Sequence, residues 1–137
     1  MSTRYLLDTN ICIYAINNRP EKVKDRIIQA GEGNCMISSI VASELAFGVT
    51  KSNKSSSKSH LIHFLSLFDL MAFDESCIWH YANLRTNLQG SGQTIGSLDM
   101  LIAAHALALD ATLVSNNTKE FARIPELKLE NWVWLYE

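Results

Sequence analysis

The stretch YLLDTNICIY, residues 5–14, is the part of the sequence that decides the fold. Its first residues, Tyr5 to Leu7, form a short apolar run that is typical of a buried strand. Asp8 follows at once, and an acid at the carboxyl end of a buried strand lies in the crevice where open α/β sheets bind ligands. Asp8 and Thr9 are also good N-caps for a helix that begins near Ile11. Considered alone, Asp8 is better explained as a cap.

The length and composition of the chain suit one α/β domain. A chain of 137 residues with 47% hydrophobic residues can build a core in which strands are buried on both faces. We therefore expect a single domain over residues 1–137. The net charge of −2 excludes a uniformly basic surface for nucleic acid, although a local patch or a metal can supply the positive charge that phosphates require.

The cysteines and the apolar segments indicate a cytoplasmic protein. The 3 cysteines are odd in number and show no C-x-x-C pair, which favours buried thiols over a disulfide frame or a zinc site. No secretion signal is recognisable. The run from Met100 to Leu109 contains His105 and is far shorter than the roughly 20 residues that a membrane span needs.

Hydrophobic periodicity and turn residues predict the remaining strands and helices. Further strands are predicted over residues 35–38, 70–73 and 111–115. Helices are predicted over residues 11–16, 21–30, 40–49, 61–68, 77–88 and 99–109. The tail from residue 121 is predicted to supply an edge strand, with Trp132, Val133, Trp134 and Leu135 in the core or at an interface.

Three further acids, like Asp8, can have either a local role in capping or solvation or a role in ligand binding. Glu44 lies in mid-helix among small and apolar residues, so it either reaches water or serves something cationic. Asp99 begins a strongly helical run and suits the positive end of that helix dipole. Glu120 belongs to the polar residues just past the last core strand, an arrangement that mirrors the one at Asp8. Asp74 and Glu75 precede another helix, and we assign them to capping.

The conjunction of these acids is harder to explain by capping alone. Crowded carboxylates raise one another's pKa values unless a divalent cation neutralises them. An all-oxygen cluster prefers Mg²⁺ or Mn²⁺ to zinc. One or two such ions can activate water and stabilise the leaving oxygen in phosphodiester hydrolysis. No G-x-S-x-G elbow competes with this chemistry, and the 4 histidines are scattered without an evident acidic partner.

A Ser-rich, locally basic stretch over residues 51–60 is interpreted as a loop or as the frayed start of a helix. Its Lys51, Lys54 and Lys58 form a candidate phosphate-facing patch, although most such runs are solvated surface. Arg85, on the helix predicted over residues 77–88, either has a structural role or reaches a phosphate.

Four segments of the chain carry a shared pattern: LDTNICI at residues 7–13, ISS at residues 37–39 with Glu44, IGSLDMLIAAHA at residues 95–106, and SNNTKEF at residues 115–121. Together they resemble the PIN-domain ribonucleases, and more closely the VapC-type toxins of bacterial toxin–antitoxin pairs. They follow the order and spacing of the family over nearly the whole chain.

The resemblance implies a three-layer α/β/α fold with a central, mainly parallel sheet, and an endoribonuclease that depends on Mg²⁺ or Mn²⁺. Asp8, Glu44 and Asp99 would be its metal-binding catalytic acids. Many family members have an Asp where Asn117 stands, whereas the closer branch has Asn there and an acid at the position of Glu120, so either residue can fill the fourth site. The remaining polar residues that would support the acids are Thr9, Asn10 and Ser115.

The resemblance also implies the substrate and the partners. The closer branch is similar to toxins that cut initiator tRNA in the anticodon stem-loop, a specificity that rests on RNA shape and splayed bases. A homodimer and a small VapB-like antitoxin, whose C-terminal segment fills the active-site groove, are expected as well.

Three other functions use similar acids. A haloacid-dehalogenase-like phosphatase needs a second acid two residues after the first, and Asn10 occupies that place. A receiver-type signalling module would gather acids around Mg²⁺ and accept phosphate on one Asp. A catalytically silent PIN-like binding protein is disfavoured by the intact Asp8, Glu44 and Asp99.

Overall fold

The computed structural model describes residues 3–133, and its centre is a parallel sheet. The strands are β1 (Tyr5–Leu7), β2 (Cys35–Ser38), β3 (Asp69–Met71), β4 (Thr112–Val114) and β5 (Leu129–Glu130). Their order in the sheet is β3-β2-β1-β4-β5, and every neighbouring pair is parallel.

Helices connect successive strands. They are α1 (Thr9–Asn17), α2 (Glu21–Ala30), α3 (Ser39–Ser52), α4 (Ser55–Ser66), α5 (Ile78–Gly90), α6 (Ser97–Ala108) and the short α7 (Thr118–Phe121). Two 3₁₀ turns, Glu32–Asn34 and Glu75–Cys77, precede β2 and α5. Asp74 caps the second turn, since its carboxylate accepts a hydrogen bond from the backbone N–H of Ser76 at 3.0 Å, as predicted.

The helices cover both faces of the sheet. Connections between parallel strands are right-handed, so the crossovers from β1 through β3 place α1 to α4 on one face and the return to β4 and β5 places α5 to α7 on the other. Helix contacts agree, because α1 packs against α2, α3 and α4 while α5 packs against α6. Strands β2 and β4 are buried along their whole length. The predicted three-layer α/β/α fold with a parallel sheet is confirmed.

The order of the strands creates one point at which the chain reverses direction across the sheet. From β1 the chain crosses to β2 on one side, whereas β4, on the other side of β1, leads to β5. Leu7 pairs with Val114 at the carboxyl ends of these two strands. Ligands of open α/β sheets bind at such a point, and the residues that follow the two strands are Asp8 and Ser115.

The structure corrects the loop interpretation of residues 51–60. Helix α3 continues through Ser52, and α4 begins at Ser55, so most of this stretch is helical. The break is confined to Asn53, which adopts a left-handed conformation with φ of 57°, and to Lys54. Asn tolerates this conformation at a helix end, whereas the exposed serines cost a helix little.

The prediction that the tail supplies an edge strand is confirmed. This strand is β5, Leu129–Glu130, at one edge of the sheet. Trp132 belongs to the core, where it is 1% exposed and stacks edge-on against Tyr5 with ring centroids 5.1 Å apart. The predicted positions of Trp134 and Leu135 lie outside the described residues.

The predicted state of the cysteines is confirmed. Cys12, Cys35 and Cys77 are free thiols with buried side chains. Between residues 3 and 133, no helix combines the length and the apolar character that crossing a membrane requires.

Candidate active site

Asp8 is fixed by both strands at the point of reversal. Its backbone N–H donates to the carbonyl oxygen of Val114 at 3.1 Å, and its side chain is only 6% exposed. One carboxylate oxygen accepts a hydrogen bond from the backbone N–H of Ile11 at 2.9 Å. Asp8 therefore caps α1 and lies in the crevice, so the two interpretations of this residue hold together.

The surroundings of Asp8 disfavour its ionised form. Burial raises the pKa of Asp8 from 3.8 to about 6. Hydrogen bonds from the Ser115 side chain and the Ile11 backbone act against this rise, whereas the charges of Asp99 and Glu44 add to it. The three acids are thus close enough to repel one another.

A small pocket holds these acids together. Its volume is about 180 Å³, and it receives residues from the end of β1, from α3, from α6 and from the end of β4. The residues that line it are Asp8, Thr9, Asn10, Glu44, Asp99, Ile102 and Asn117.

Glu44 is held by a residue that follows β1. The hydroxyl of Thr9 donates to a carboxylate oxygen of Glu44 at 2.6 Å, and hydrogen bonds to an ionised acceptor are among the strong ones. Glu44 is half-buried on α3, a helix whose first turn is capped by Ser38 through the N–H of Ile40 at 3.0 Å. The mid-helix acid therefore faces the cleft instead of bulk water.

Asn117 links the two remaining acids. Its amide nitrogen donates to Glu120 at 2.9 Å and lies 3.5 Å from a carboxylate oxygen of Asp99. Burial, followed by the charges of Glu120 and Glu44, raises the pKa of Asp99. Asn117 lines the pocket, and Glu120 lies on α7, where its charge acts on Asp99. The amide is therefore a wall of the pocket, and the fourth acid adjoins it through the amide.

The predicted supporting residues differ in how deeply they are buried. Ser115 is fully buried, and its hydroxyl oxygen accepts a hydrogen bond from the N–H of Asn117 at 2.9 Å. Asn10 is exposed at the rim of the pocket. The sequence did not reveal that Asn116 donates to the Tyr14 hydroxyl at 3.0 Å, a contact that ties the end of β4 to α1.

A buried histidine connects the helices that carry Asp99 and Glu44. His105 on α6 is 1% exposed, and its Nδ1 lies 2.8 Å from the hydroxyl of Ser38, the residue that caps α3. Its ring also packs edge-on against Phe73 at 5.5 Å between centroids. Burial lowers the pKa of His105, so the imidazole is neutral. Sequence reasoning left His105 as a core or surface residue; its apolar helical neighbours were the only available signal.

Comparison with known proteins decides the family. The PIN domain pattern matches residues 5–127. Ribonuclease VapC2 of Rickettsia felis is 49% identical over 130 residues, which cover 93% of this chain and 97% of the relative. The chain belongs to the VapC branch of the PIN-domain family.

Two further relatives extend the comparison of this VapC-family chain. The tRNA(fMet)-specific endonuclease VapC of Shigella flexneri is 35% identical, covering 94% of this chain and 98% of the relative. The crystal structure of VapBC2 from Rickettsia felis, bound to a DNA fragment from its promoter, superposes with a TM-score of 0.89 at 47% identity, covering 95% of this chain and 99% of that one.

The donor set of the VapC-family pocket suits a hard divalent cation. Within residues 3–133, no three acidic, histidine or cysteine side chains yet converge closely enough to hold a metal ion. However, the side chains that can reach the pocket offer carboxylate, amide and hydroxyl oxygens, the ligands that Mg²⁺ and Mn²⁺ prefer. Burial, with smaller contributions from the neighbouring acids, raises the pKa values of Asp8 and Asp99, and a bound cation would favour their ionised forms.

The basic residues lie outside the acid pocket. Lys51 is on α3, two turns beyond Glu44, and Lys54 and Lys58 are exposed where α4 begins. Arg85 is exposed on α5 and donates to the Tyr81 hydroxyl at 2.7 Å, so the structure does not bring it to the pocket lining.

Proposed function

We propose that this chain is a metal-dependent endoribonuclease toxin that hydrolyses RNA phosphodiester bonds and acts as a single PIN domain over residues 1–137. The observation that carries the proposal is the convergence of Asp8, Glu44 and Asp99 on one pocket at the point of strand reversal. The relatives named ribonuclease VapC support it.

Asp8, Glu44 and Asp99 would hold Mg²⁺ or Mn²⁺, and all four acids, with Glu120 in an outer position, form the proposed catalytic set. When bound, the ion polarises the scissile phosphate and promotes ionisation of an attacking water. Thr9 orients the Glu44 carboxylate through its hydroxyl. Asn117 lies between Asp99 and Glu120 and donates to Glu120, so it would link the outer acid to the metal-binding acids.

A tRNA is the proposed substrate, with the anticodon stem-loop of initiator tRNA as the cut region. The Shigella flexneri relative, a tRNA(fMet)-specific endonuclease, supports this choice. A stem-loop presents unstacked bases that a protein can bind individually. Lys51, Lys54 and Lys58 are proposed to contact the RNA backbone, and Arg85 remains the weakest candidate for such a contact.

A small VapB-like antitoxin is the proposed protein partner of a cytoplasmic homodimer. A recess of about 300 Å³ adjoins Glu44 between α1, α3 and α4. Its walls are largely apolar, and Ile13 and Ile16 are 39% and 36% exposed there. An apolar antitoxin segment in this recess would cover Glu44 and block the acid pocket. Solved VapBC toxin–antitoxin complexes of relatives support such a partner.

The test is cleavage of total bacterial RNA by the purified chain, freed of antitoxin, with Mg²⁺, with Mn²⁺ and with chelator. We expect metal-dependent cuts that map, on sequencing of the new ends, to the anticodon region of one tRNA. Added antitoxin should abolish them. Binding of RNA without any cleavage would indicate the silent binding protein instead. A phosphoryl adduct in the intact mass after incubation with a small phosphodonor would indicate the signalling module.

A further inference from the structure

We propose that Phe47 and Leu98 form a shelf beside the acid pocket that binds an unpaired nucleobase adjacent to the scissile phosphate. This inference rests on the proposed function, because it takes RNA as the substrate. It adds a site for base recognition, which the acids themselves cannot supply since they contact the phosphate only.

The shelf is continuous with the acid pocket. It faces an open recess of about 520 Å³ whose lining includes Thr9 and Glu44, two residues that also line the acid pocket. The rest of the recess is built mainly from the apolar side chains of Ile40, Phe47 and Leu98. A nucleotide whose phosphate lies among the acids therefore has an apolar surface directly beside it.

The two shelf residues are both exposed and come from different helices. Phe47 is 67% exposed on α3, and Leu98 is 45% exposed on α6 next to Asp99. Helix α3 packs into the core through Val41 and Leu45, so the core does not account for Phe47. A single exposed apolar residue needs no explanation, but a pair that borders one polar site marks a binding surface.

The charge beside the shelf favours a nucleotide. Phe47 lies three residues after Glu44 on α3, and Nζ of Lys51, one turn further along, is 6.0 Å from the Phe47 ring centroid. An aromatic face for the base and an ammonium group for the phosphate are the combination that single-stranded nucleic acids require. The recess on the α1 side of Glu44 offers an apolar peptide a separate place to bind.

The first experiment measures binding of a fluorescein-labelled single-stranded oligoribonucleotide in chelator, where no cleavage occurs, by wild type, Phe47→Ala, Phe47→Leu and Phe47→Trp. Loss of one stacked base corresponds to about 5- to 150-fold weaker binding. We expect a loss in this range for Phe47→Ala, most of that loss for Phe47→Leu, and near-normal binding for Phe47→Trp. The matched control is Trp79→Ala on α5, which removes an aromatic residue that is 74% exposed, and it should bind as wild type does.

Salt dependence separates stacking from charge. Phe47→Ala should leave the slope of log K against log salt unchanged, whereas Lys51→Ala should reduce its magnitude by about 0.7, the value for one single-strand phosphate contact. Circular dichroism and thermal unfolding should show that each variant keeps the fold, because the Phe47 side chain is mostly in solvent.

The outcomes distinguish this inference from the proposed function. Wild-type binding by Phe47→Ala, or by Phe47→Leu, would overturn the base shelf. So would a Phe47→Ala variant that binds and cleaves RNA normally but escapes the antitoxin, since a protein would then occupy the shelf. If wild type binds RNA through Phe47 yet cleaves none with metal, the shelf stands and the ribonuclease proposal fails. If wild type binds no RNA, both fail.

Discussion

Replacement of Asp8 by Asn should stabilise the metal-free protein. Asp8 is 6% exposed and lies among other acids, so its ionisation is costly in the folded state. Asn has nearly the same shape and is an equally good N-cap, so the hydrogen bond from Ile11 can be kept. The substitution therefore removes the charge while it preserves the cap.

The pKa of Asp8 determines how much more stable Asp8→Asn should be than wild type and over which pH range the difference should develop. Its rise from 3.8 to about 6 means that the folded protein binds this proton more tightly than the unfolded chain does. The Asp8 contribution to stability is therefore lost as pH rises from about 4 to 6, and the loss is complete above that range. The rise corresponds to roughly 3 kcal/mol. Asp8→Asn should be more stable than wild type by up to this amount at neutral pH.

The assay is urea unfolding of both proteins in chelator at several values of pH from 4 to 7.5. The difference between them reports Asp8 together with its coupling to Asp99 and Glu44, because the more distant titrating groups are shared. We expect this difference to be near zero at pH 4 and to grow through pH 6 in favour of Asp8→Asn. A difference that does not depend on pH, or a variant that is less stable than wild type at pH 7.5, would refute the reasoning.

Further predictions concern the core and the basic residues. Trp132→Ala should cost about 3–5 kcal/mol in urea unfolding, because it empties a site that is 1% exposed; Trp132→Phe should cost less. His105→Leu should cost about 1–3 kcal/mol, because it removes a buried hydrogen bond and leaves the Ser38 hydroxyl with the Ile40 N–H as its remaining partner. The lowered pKa of His105 also predicts that wild type loses stability as pH falls through 6.5, a loss that His105→Leu should lack. Joint replacement of Lys51, Lys54 and Lys58 by Ala should flatten the salt dependence of RNA binding, and an unchanged slope in filter binding would exclude them from the RNA contact.

The order of strands and helices could be predicted from the sequence because each element has its own local pattern of hydrophobic residues. The buried run before Asp8 and the matching run before Ser115 indicated where parallel strands end, and the sheet brings those ends together. Residues 51–60 were left open between a loop and the start of a helix, and the helix alternative is correct for residues 55–60. There the decisive element is one residue, Asn53, with its left-handed conformation.

The interior of the site could be predicted only in part. The acids were recognisable, but each had an equally local role in capping or solvation. Their meeting depends on pairings between distant residues, such as Thr9 with Glu44, 35 positions apart, and Ser38 with His105, 67 positions apart. The same holds for the exposure of Phe47, which only the packing of α3 determines.

The structure defines the relation between Asn117 and Glu120, which the resemblance alone did not. The sequence left Asn117 and Glu120 as alternatives for one position. In the structure they are hydrogen-bonded to each other at 2.9 Å; Asn117 lines the pocket, and Glu120 lies on α7 next to it. Their roles are therefore complementary, and we propose that both belong to the site.

The measurement that tests the central claim most directly is the rate of tRNA cleavage by wild type and by Asp99→Asn, side by side in Mg²⁺, with thermal unfolding to verify the fold of both. Wild type should cut at one place, chelator should stop the cleavage, and the variant, though folded, should show no cut above background. Cleavage by Asp99→Asn at the wild-type rate would show that the chemistry does not reside in the acid pocket.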